Sequence, residues 1–167
     1  MKNTKSLALY LTRGALIGAL YVALTYLTSL IGLDKGVIQF RLSEALCVLP
    51  AFMPEAVPGL FIGCLLANLL TGCVFWDILF GSLATLIGAI GARLLSSLPK
   101  KLAPLIPLPT VVANALVVPP VLIYAYGVPD AYLFILFTVG VGEIACAFSL
   151  GLMLYYALRR NRLFKIQ

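Results

Sequence analysis

Long apolar stretches separated by short polar breaks dominate the pattern along this chain. They predict six helices, at residues Leu7–Ile31, Leu42–Met53, Ala56–Thr71, Trp76–Leu98, Thr110–Tyr126 and Asp130–Arg159. Several of these stretches approach or exceed the roughly 20 residues that a helix needs to cross a bilayer. The pattern predicts an all-α integral membrane protein, a compact bundle of about six transmembrane helices in a single domain over residues 1–167.

Three of the predicted segments carry irregularities. Leu42–Met53 would measure only about 18 Å, so it either stops short of one membrane face or borrows turns from its neighbours. The stretch Pro99–Pro109 is too rich in proline to form a continuous helix. Pro119 and Pro120 lie inside the fifth predicted helix, where they must break or kink it.

Composition and charge limit the classes of function that this chain can have. The chain is 62% hydrophobic and only 11% charged, and its mean hydropathy of +1.08 is far too high for a soluble domain. Its size leaves no room for a soluble catalytic or nucleotide-binding domain. The net charge of +6 does not indicate nucleic acid, because the basic residues lie mainly at the segment ends, where membrane orientation explains them.

The distribution of charge predicts the topology. An even number of helices places both termini on one side, which we expect to be the cytoplasmic side of the plasma membrane because it collects Lys2, Lys5, Lys100, Lys101, Arg159, Arg160, Arg162 and Lys165. The opposite side is acidic on balance and holds Asp34, Lys35, Arg41, Glu44, Asp77 and Asp130. An outward mouth of this kind attracts cations.

Catalytic and metal chemistry find little support in the sequence. The four cysteines show no Cys-x-x-Cys spacing and histidine is absent, so we expect no metal site. The chain also lacks an evident catalytic set and a Gly-x-x-x-x-Gly-Lys motif for ATP. We therefore expect a protein that is not an enzyme and binds no cofactor of its own, with any energy supplied by a partner or a gradient.

A polar island between two apolar stretches is the clearest candidate site. It consists of Gln39, Phe40, Arg41, Leu42, Ser43 and Glu44. Charges at membrane depth cost free energy unless they pair, reach the interface or line a wet cavity. We interpret Gln39, Phe40, Arg41 and Glu44 as one wall of a pocket for a small, polar and cationic molecule. An alternative is that Arg41 and Glu44, three residues apart, form a plain ion pair within a helix.

Further polar residues converge on the same side. Asn68 and the pair Trp76-Asp77 lie near the outer ends of their helices, while Asn114 and Glu143 lie deeper, both at about 18–20 Å. Asn114 and Glu143 either contact a ligand or bond to each other and hold two helices together. Trp76 either forms an aromatic cage with Asp77 or belongs to the interfacial belt. Asp34, Lys35 and Asp130 are expected to be solvated loop charges.

Small residues recur on the first helix. Ala15, Ala19 and Ala23 follow one another at every fourth position, with Gly14 and Gly18 on the neighbouring face. Such a strip lets another helix approach closely, either inside the bundle or from a second membrane subunit. In a small bundle without its own energy source, the second interpretation is the more informative one.

The chain resembles the substrate-capture (S) components of energy-coupling factor transporters, and among them the QueT group. The resemblance covers nearly the whole chain and rests on the alanine strip, the block Gln39–Leu46 leading to Leu49-Pro50, the stretch Gly63–Gly72 with Asn68, and Trp76-Asp77. It implies capture of a micronutrient from outside and delivery to one membrane scaffold subunit and two ATPases, which use ATP. It also implies that Ala15, Ala19 and Ala23 contact the scaffold.

The resemblance further implies a queuosine precursor as ligand, chiefly the aminomethyl-deazaguanine. Its ammonium would suit Glu44 or the Trp76-Asp77 pair, and its guanine-like edge would suit Glu143 with Asn68 or Asn114. Phe40 and Trp76 could stack on the ring. A different small cationic vitamin-like ligand, or a stand-alone secondary carrier, are the alternatives. The sequence leaves open which deazapurine is bound, how tightly, and whether the coupling module is dedicated or shared.

Overall fold

Six α-helices and three non-α helical segments make up the described structure. This computed structural model describes residues 2–33 and 39–160, apart from the side chains of residues 2–5 and 100. The α-helices are α1 Lys2–Leu30, α2 Ala56–Leu70, α3 Phe75–Leu95, α4 Leu108–Tyr124, α5 Tyr132–Glu143 and α6 Gly151–Arg160. A 3₁₀ helix at Leu42–Ala51 precedes α2, another at Lys100–Leu105 precedes α4, and a π-helical segment at Ile144–Leu150 joins α5 to α6. The described residues contain no strand.

The apolar helices confirm the predicted membrane bundle. Four helical stretches are long and apolar enough to cross a membrane, namely Ser6–Leu30, Phe75–Leu95, Lys101–Tyr124 and Tyr132–Arg160. Leu42–Ala51 and Ala56–Leu70 are shorter apolar helices. The six predicted segments are therefore all present, with boundaries shifted by a few residues.

The second predicted segment differs in kind from the expectation. Leu42–Ala51 is a 3₁₀ helix, and eight of its ten residues are buried. Pro50 lies within it and has no backbone N–H to donate. The Arg93 guanidinium donates to the carbonyl of Pro50 at 3.4 Å. The segment packs against α1, α3 and α6, so it is a central element of the bundle.

The two prolines inside α4 do not break the helix. α4 runs without interruption from Leu108 to Tyr124 with Pro119 and Pro120 inside it, so of the predicted break or kink, the break is not found. Pro119 is fully buried, and neighbouring protein is what allows prolines inside membrane helices. The expectation for Pro99–Pro109 is confirmed, because the 3₁₀ helix ends at Leu105 and α4 starts as a separate element at Leu108.

Glycines hold α1 against α2. A Cβ atom added to Gly59 would lie 2.6 Å from the carbonyl oxygen of Gly14, and one added to Gly63 would lie 2.9 Å from the Cα of Gly18. The two backbones therefore touch where these side chains are missing. Gly14 and Gly18 thus serve internal packing.

Substituting Gly59 with Ala is expected to lower the free energy of unfolding by about 1–3 kcal/mol, because the added methyl group meets backbone atoms that cannot move aside easily. Gly140→Ala is the matched control, since nothing lies within 4 Å of a Cβ at that helical position. Thermal unfolding of both variants in detergent measures the difference. Equal melting temperatures for the two would contradict the close packing of α1 and α2.

An ion pair links α1 to the turn before α2, on the side of the bundle where α1 begins. Arg13 Nη1 lies 3.2 Å from Glu55 Oε1, with Glu55 buried and Arg13 half exposed. Glu55, in the short turn before α2, is thereby tied to α1. This contact lies at the opposite end of the bundle from the polar residues described below.

Candidate functional site

A cavity of about 360 Å³ opens at the end of the bundle where three connecting segments meet. These segments precede the first 3₁₀ helix, link α2 to α3, and follow α4. The cavity is lined by Ser29, Gln39, Arg41, Thr71, Gly72, Cys73, Asp77, Gly81, Asn114, Val118, Leu122, Tyr126, Val128, Val139 and Glu143. Five of the predicted substrate-binding residues are thus brought to one cavity: Gln39, Arg41, Asp77, Asn114 and Glu143.

The pair Asn114 and Glu143 joins α4 to α5 in the wall of this cavity. The side-chain nitrogen of Asn114 donates to Glu143 Oε1 at 2.9 Å. The second carboxylate oxygen, Oε2, is buried and has no hydrogen-bond partner. The two side chains therefore link α4 to α5, and the Oε2 atom of Glu143 remains without a donor. A buried carboxylate oxygen without a partner is costly, which is a reason to expect a ligand there.

Glu44 lies behind the cavity wall. It is 1% exposed and accepts a hydrogen bond from the Tyr21 hydroxyl, while its Oε2 has no partner. Arg41 interacts electrostatically with Glu44, yet the two do not form an ion pair among the described residues. The predicted plain Arg41–Glu44 pair is thus not the arrangement found, and Glu44 bonds across to α1.

Asp77 and Tyr126 form a hydrogen-bonded pair at the mouth of the cavity. The Tyr126 hydroxyl donates to Asp77 Oδ2 at 2.9 Å and accepts from the backbone N–H of Val74 at 3.3 Å. Burial and the nearby Asp77 carboxylate raise the pKa of the Tyr126 hydroxyl, so it stays a donor. Sequence reasoning missed Tyr126, because a tyrosine near a helix end is ordinary at a membrane interface.

Trp76 does not face this cavity. Its side chain is 53% exposed, stacks on Phe80 with ring centroids 5.9 Å apart, and lines a separate apolar groove beside Tyr124. The expected cage of Trp76 and Asp77 is therefore not formed, which corrects that part of the prediction. Adjacent residues on a helix point about 100° apart, so neighbours in sequence here face different surroundings.

The remaining predicted residues have varied positions. Asn68 is fully buried, donates to the backbone carbonyl of Asp77 at 3.4 Å, and leaves its Oδ1 without a partner. Phe40 is half-buried and is not among the lining residues. Asp130 is exposed, as expected for a loop charge. Asp34 and Lys35 lie outside the described residues.

Gly142 positions the wall that carries Gln39. A Cβ atom added at Gly142 would collide with the backbone carbonyl of Gln39. This close approach places the residues before the first 3₁₀ helix directly on α5, one residue before Glu143. The loop and the buried carboxylate are thereby held next to each other.

Residues 11–160 match a protein family described as QueT transporter. This chain belongs to the QueT transporter family. The curated "Queuosine precursor transporter QueT" of Lactococcus lactis subsp. cremoris (strain MG1363) is 37% identical over 73 residues, which cover 44% of this chain and 43% of that relative. The chain thus matches less than half the length of this relative. No solved structure matches it.

Membership of the QueT family confirms the predicted resemblance to the QueT group. A family of transporters agrees with the expectation of a membrane protein that is not an enzyme. In this QueT-family chain, the cavity lining contains two carboxylates, one guanidinium and two side-chain amides. Such a lining can bind a polar molecule that offers several N–H donors.

Proposed function

We propose that this chain captures a queuosine precursor, the aminomethyl-deazaguanine, as the S component of an energy-coupling factor transporter. The family and the name of the Lactococcus relative support a queuosine precursor as the substrate class. The cavity of about 360 Å³ is at the small end of the usual range for small-molecule sites. A single flat bicyclic molecule with one short substituent suits that volume.

The unpaired Oε2 atom of Glu143 is the observation that carries this proposal. A guanine-like edge presents neighbouring N–H donors, which a carboxylate accepts in a bidentate manner. Asn114, which holds the other oxygen, lies beside it and can serve the ring carbonyl. The ligand would thus satisfy a buried acceptor that the protein leaves open.

The exposed alanine strip supports a membrane partner. Ala15, Ala19 and Ala23 are all exposed on α1, whereas Gly14 and Gly18 pack inward on α2. The alanines are therefore free of the internal packing role that the sequence left open. In the proposed function they contact the scaffold subunit, and two ATPase subunits use ATP to drive uptake.

The packing beyond the inner end of the cavity supports a protein that captures its ligand over a carrier that moves the ligand through the bundle. Below Asn114, a Cβ atom added at Gly88 would lie 2.5 Å from Thr110 Oγ1, so α3 and α4 touch there. A stand-alone carrier needs polar groups that continue toward the opposite face. Both termini would lie in the cytoplasm, with the cavity open to the outside of the plasma membrane.

Substituting Glu143 with Gln is expected to weaken binding of the aminomethyl-deazaguanine about tenfold to a hundredfold. A lost charged hydrogen bond with an unpaired group left behind costs about 1.5–3 kcal/mol. The control is Asp130→Asn, whose exposed charge should act only through attraction that salt screens.

Calorimetric titration of both variants at low and near-physiological salt checks this expectation. Parent-like affinity for Glu143→Gln would show that Glu143 only holds α4 and α5 together. Greater damage from Asp130→Asn at high salt would equally reject the proposed site.

A further inference from the structure

One carboxylate oxygen of Asp77 accepts a side-chain hydrogen bond, and the other accepts none from the described side chains. Tyr126 donates to Oδ2, and no described side chain donates to Oδ1. Oδ1 faces Gly81, where an added Cβ would lie 3.3 Å from it. Both Asp77 and Gly81 line the cavity, so the absence of a side chain at Gly81 leaves room beside this oxygen.

The two ends of the cavity differ in how they can bind charge. At Glu143 the Oε2 atom is buried, and Oε1 already accepts a neutral amide N–H from Asn114, which is the kind of donor that a ring edge offers. Asp77 is half-buried at the mouth, where an ammonium keeps part of its hydration and loses less solvation energy. Asp77 also lies in the first turn of α3, and a helix N-terminus favours an ionised carboxylate.

Arg41 is the cation already present in the cavity. It interacts electrostatically with Asp77, but among the described residues the two form no ion pair. Asp77 is thus not neutralised by direct contact. A ligand ammonium can take the open side of the carboxylate. Tyr126, which accepts from the Val74 N–H, holds the other side of the carboxylate in place.

We infer that Asp77, positioned by Tyr126, is the specificity-determining residue that selects deazaguanines bearing an alkylammonium over neutral ones. The inference rests on the proposed function, because it assumes that the ring edge is bound at Glu143. Asp77 would contact the ammonium directly. Tyr126 would act through Asp77, as a positioning residue.

The binding of two ligands with the same ring distinguishes the role of Glu143 from that of Asp77. One is the 7-aminomethyl-deazaguanine and the other carries a neutral nitrile at the same carbon. The purified parent protein is expected to bind the cationic ligand at least about tenfold more tightly, since a charged hydrogen bond is lost with the nitrile. Titrations use the full chain in detergent.

Asp77→Asn is expected to lower the affinity for the aminomethyl ligand about tenfold to a hundredfold. The affinity for the nitrile ligand should change less than about twofold. Tyr126→Phe should weaken only the aminomethyl ligand, by about threefold to tenfold. Glu143→Gln should weaken both ligands by the same factor. The exposed Asp130→Asn variant controls for long-range attraction and should leave the ratio of the two affinities unchanged.

The outcomes distinguish a failure of the Asp77 inference from a failure of the proposed function. If Asp77→Asn weakens both ligands equally, or neither, Asp77 is not the ammonium site and the inference is overturned. The proposed function survives that result as long as the parent binds and Glu143→Gln weakens binding. If the parent binds neither ligand, the proposed function fails and the inference fails with it.

Discussion

Replacing Ala19 with Trp is expected to abolish uptake in cells while leaving ligand binding to the purified protein within about twofold of the parent. Ala19 is exposed at the middle of the alanine strip, so an indole there would hold a second helix several ångströms away. The cavity lies at one end of the bundle and does not include α1 residues near Ala19. The binding site should therefore be undisturbed.

A matched control is Ile87→Trp, which places the same side chain at a 57% exposed, mid-helix position on α3. Uptake should persist in this variant if the effect at Ala19 is due to a specific docking face. Ligand titration in detergent and uptake in cells are measured for both variants. Equal loss of binding and uptake, or loss of neither, in the Ala19 variant would reject the docking role of the strip.

The helical bundle could be predicted because hydrophobic length is a strong signal. Each apolar stretch had to be a helix, since only helices satisfy their own backbone groups in lipid. Helix register also placed Asn114 and Glu143 at similar depths, and their side chains are indeed in contact. Depth follows from counting residues along a helix, which needs no knowledge of the neighbours.

Side-chain direction was harder to predict than depth. Trp76 and Asp77 are adjacent, but one faces an outer groove and the other the cavity. Tyr126 bonds to Asp77 across 49 residues of sequence, and no local pattern indicates such a pair. The contact of Glu44 with Tyr21 likewise depends on which face of α1 packs against the 3₁₀ helix Leu42–Ala51.

Two departures from the α-helix had no clear sequence signal. Leu42–Ala51 adopts a 3₁₀ helix, and Ile144–Leu150 adopts a π-helical segment directly after Glu143. The two segments pack against each other, so their shapes depend on tertiary contact. Such departures are frequent at functional sites, and here each one carries or adjoins a glutamate whose Oε2 atom is buried without a partner.

The purified chain alone is expected to bind the aminomethyl-deazaguanine without concentrating it against a gradient. Its cavity lies at one end of the bundle, and α3 touches α4 near Thr110, one helical turn from Asn114. The sequence also has no Gly-x-x-x-x-Gly-Lys motif with which to bind ATP. Under the proposed function, uptake requires the scaffold and ATPase subunits.

Reconstitution in sealed liposomes tests this division of labour most directly. Radiolabelled aminomethyl-deazaguanine is supplied to liposomes that contain the chain alone, under a sodium or proton gradient, or the chain with scaffold, ATPases and ATP. We expect saturable binding in both preparations and accumulation only in the complete complex. Concentrative uptake by the chain alone, driven by an ion gradient, would contradict it and identify a secondary carrier.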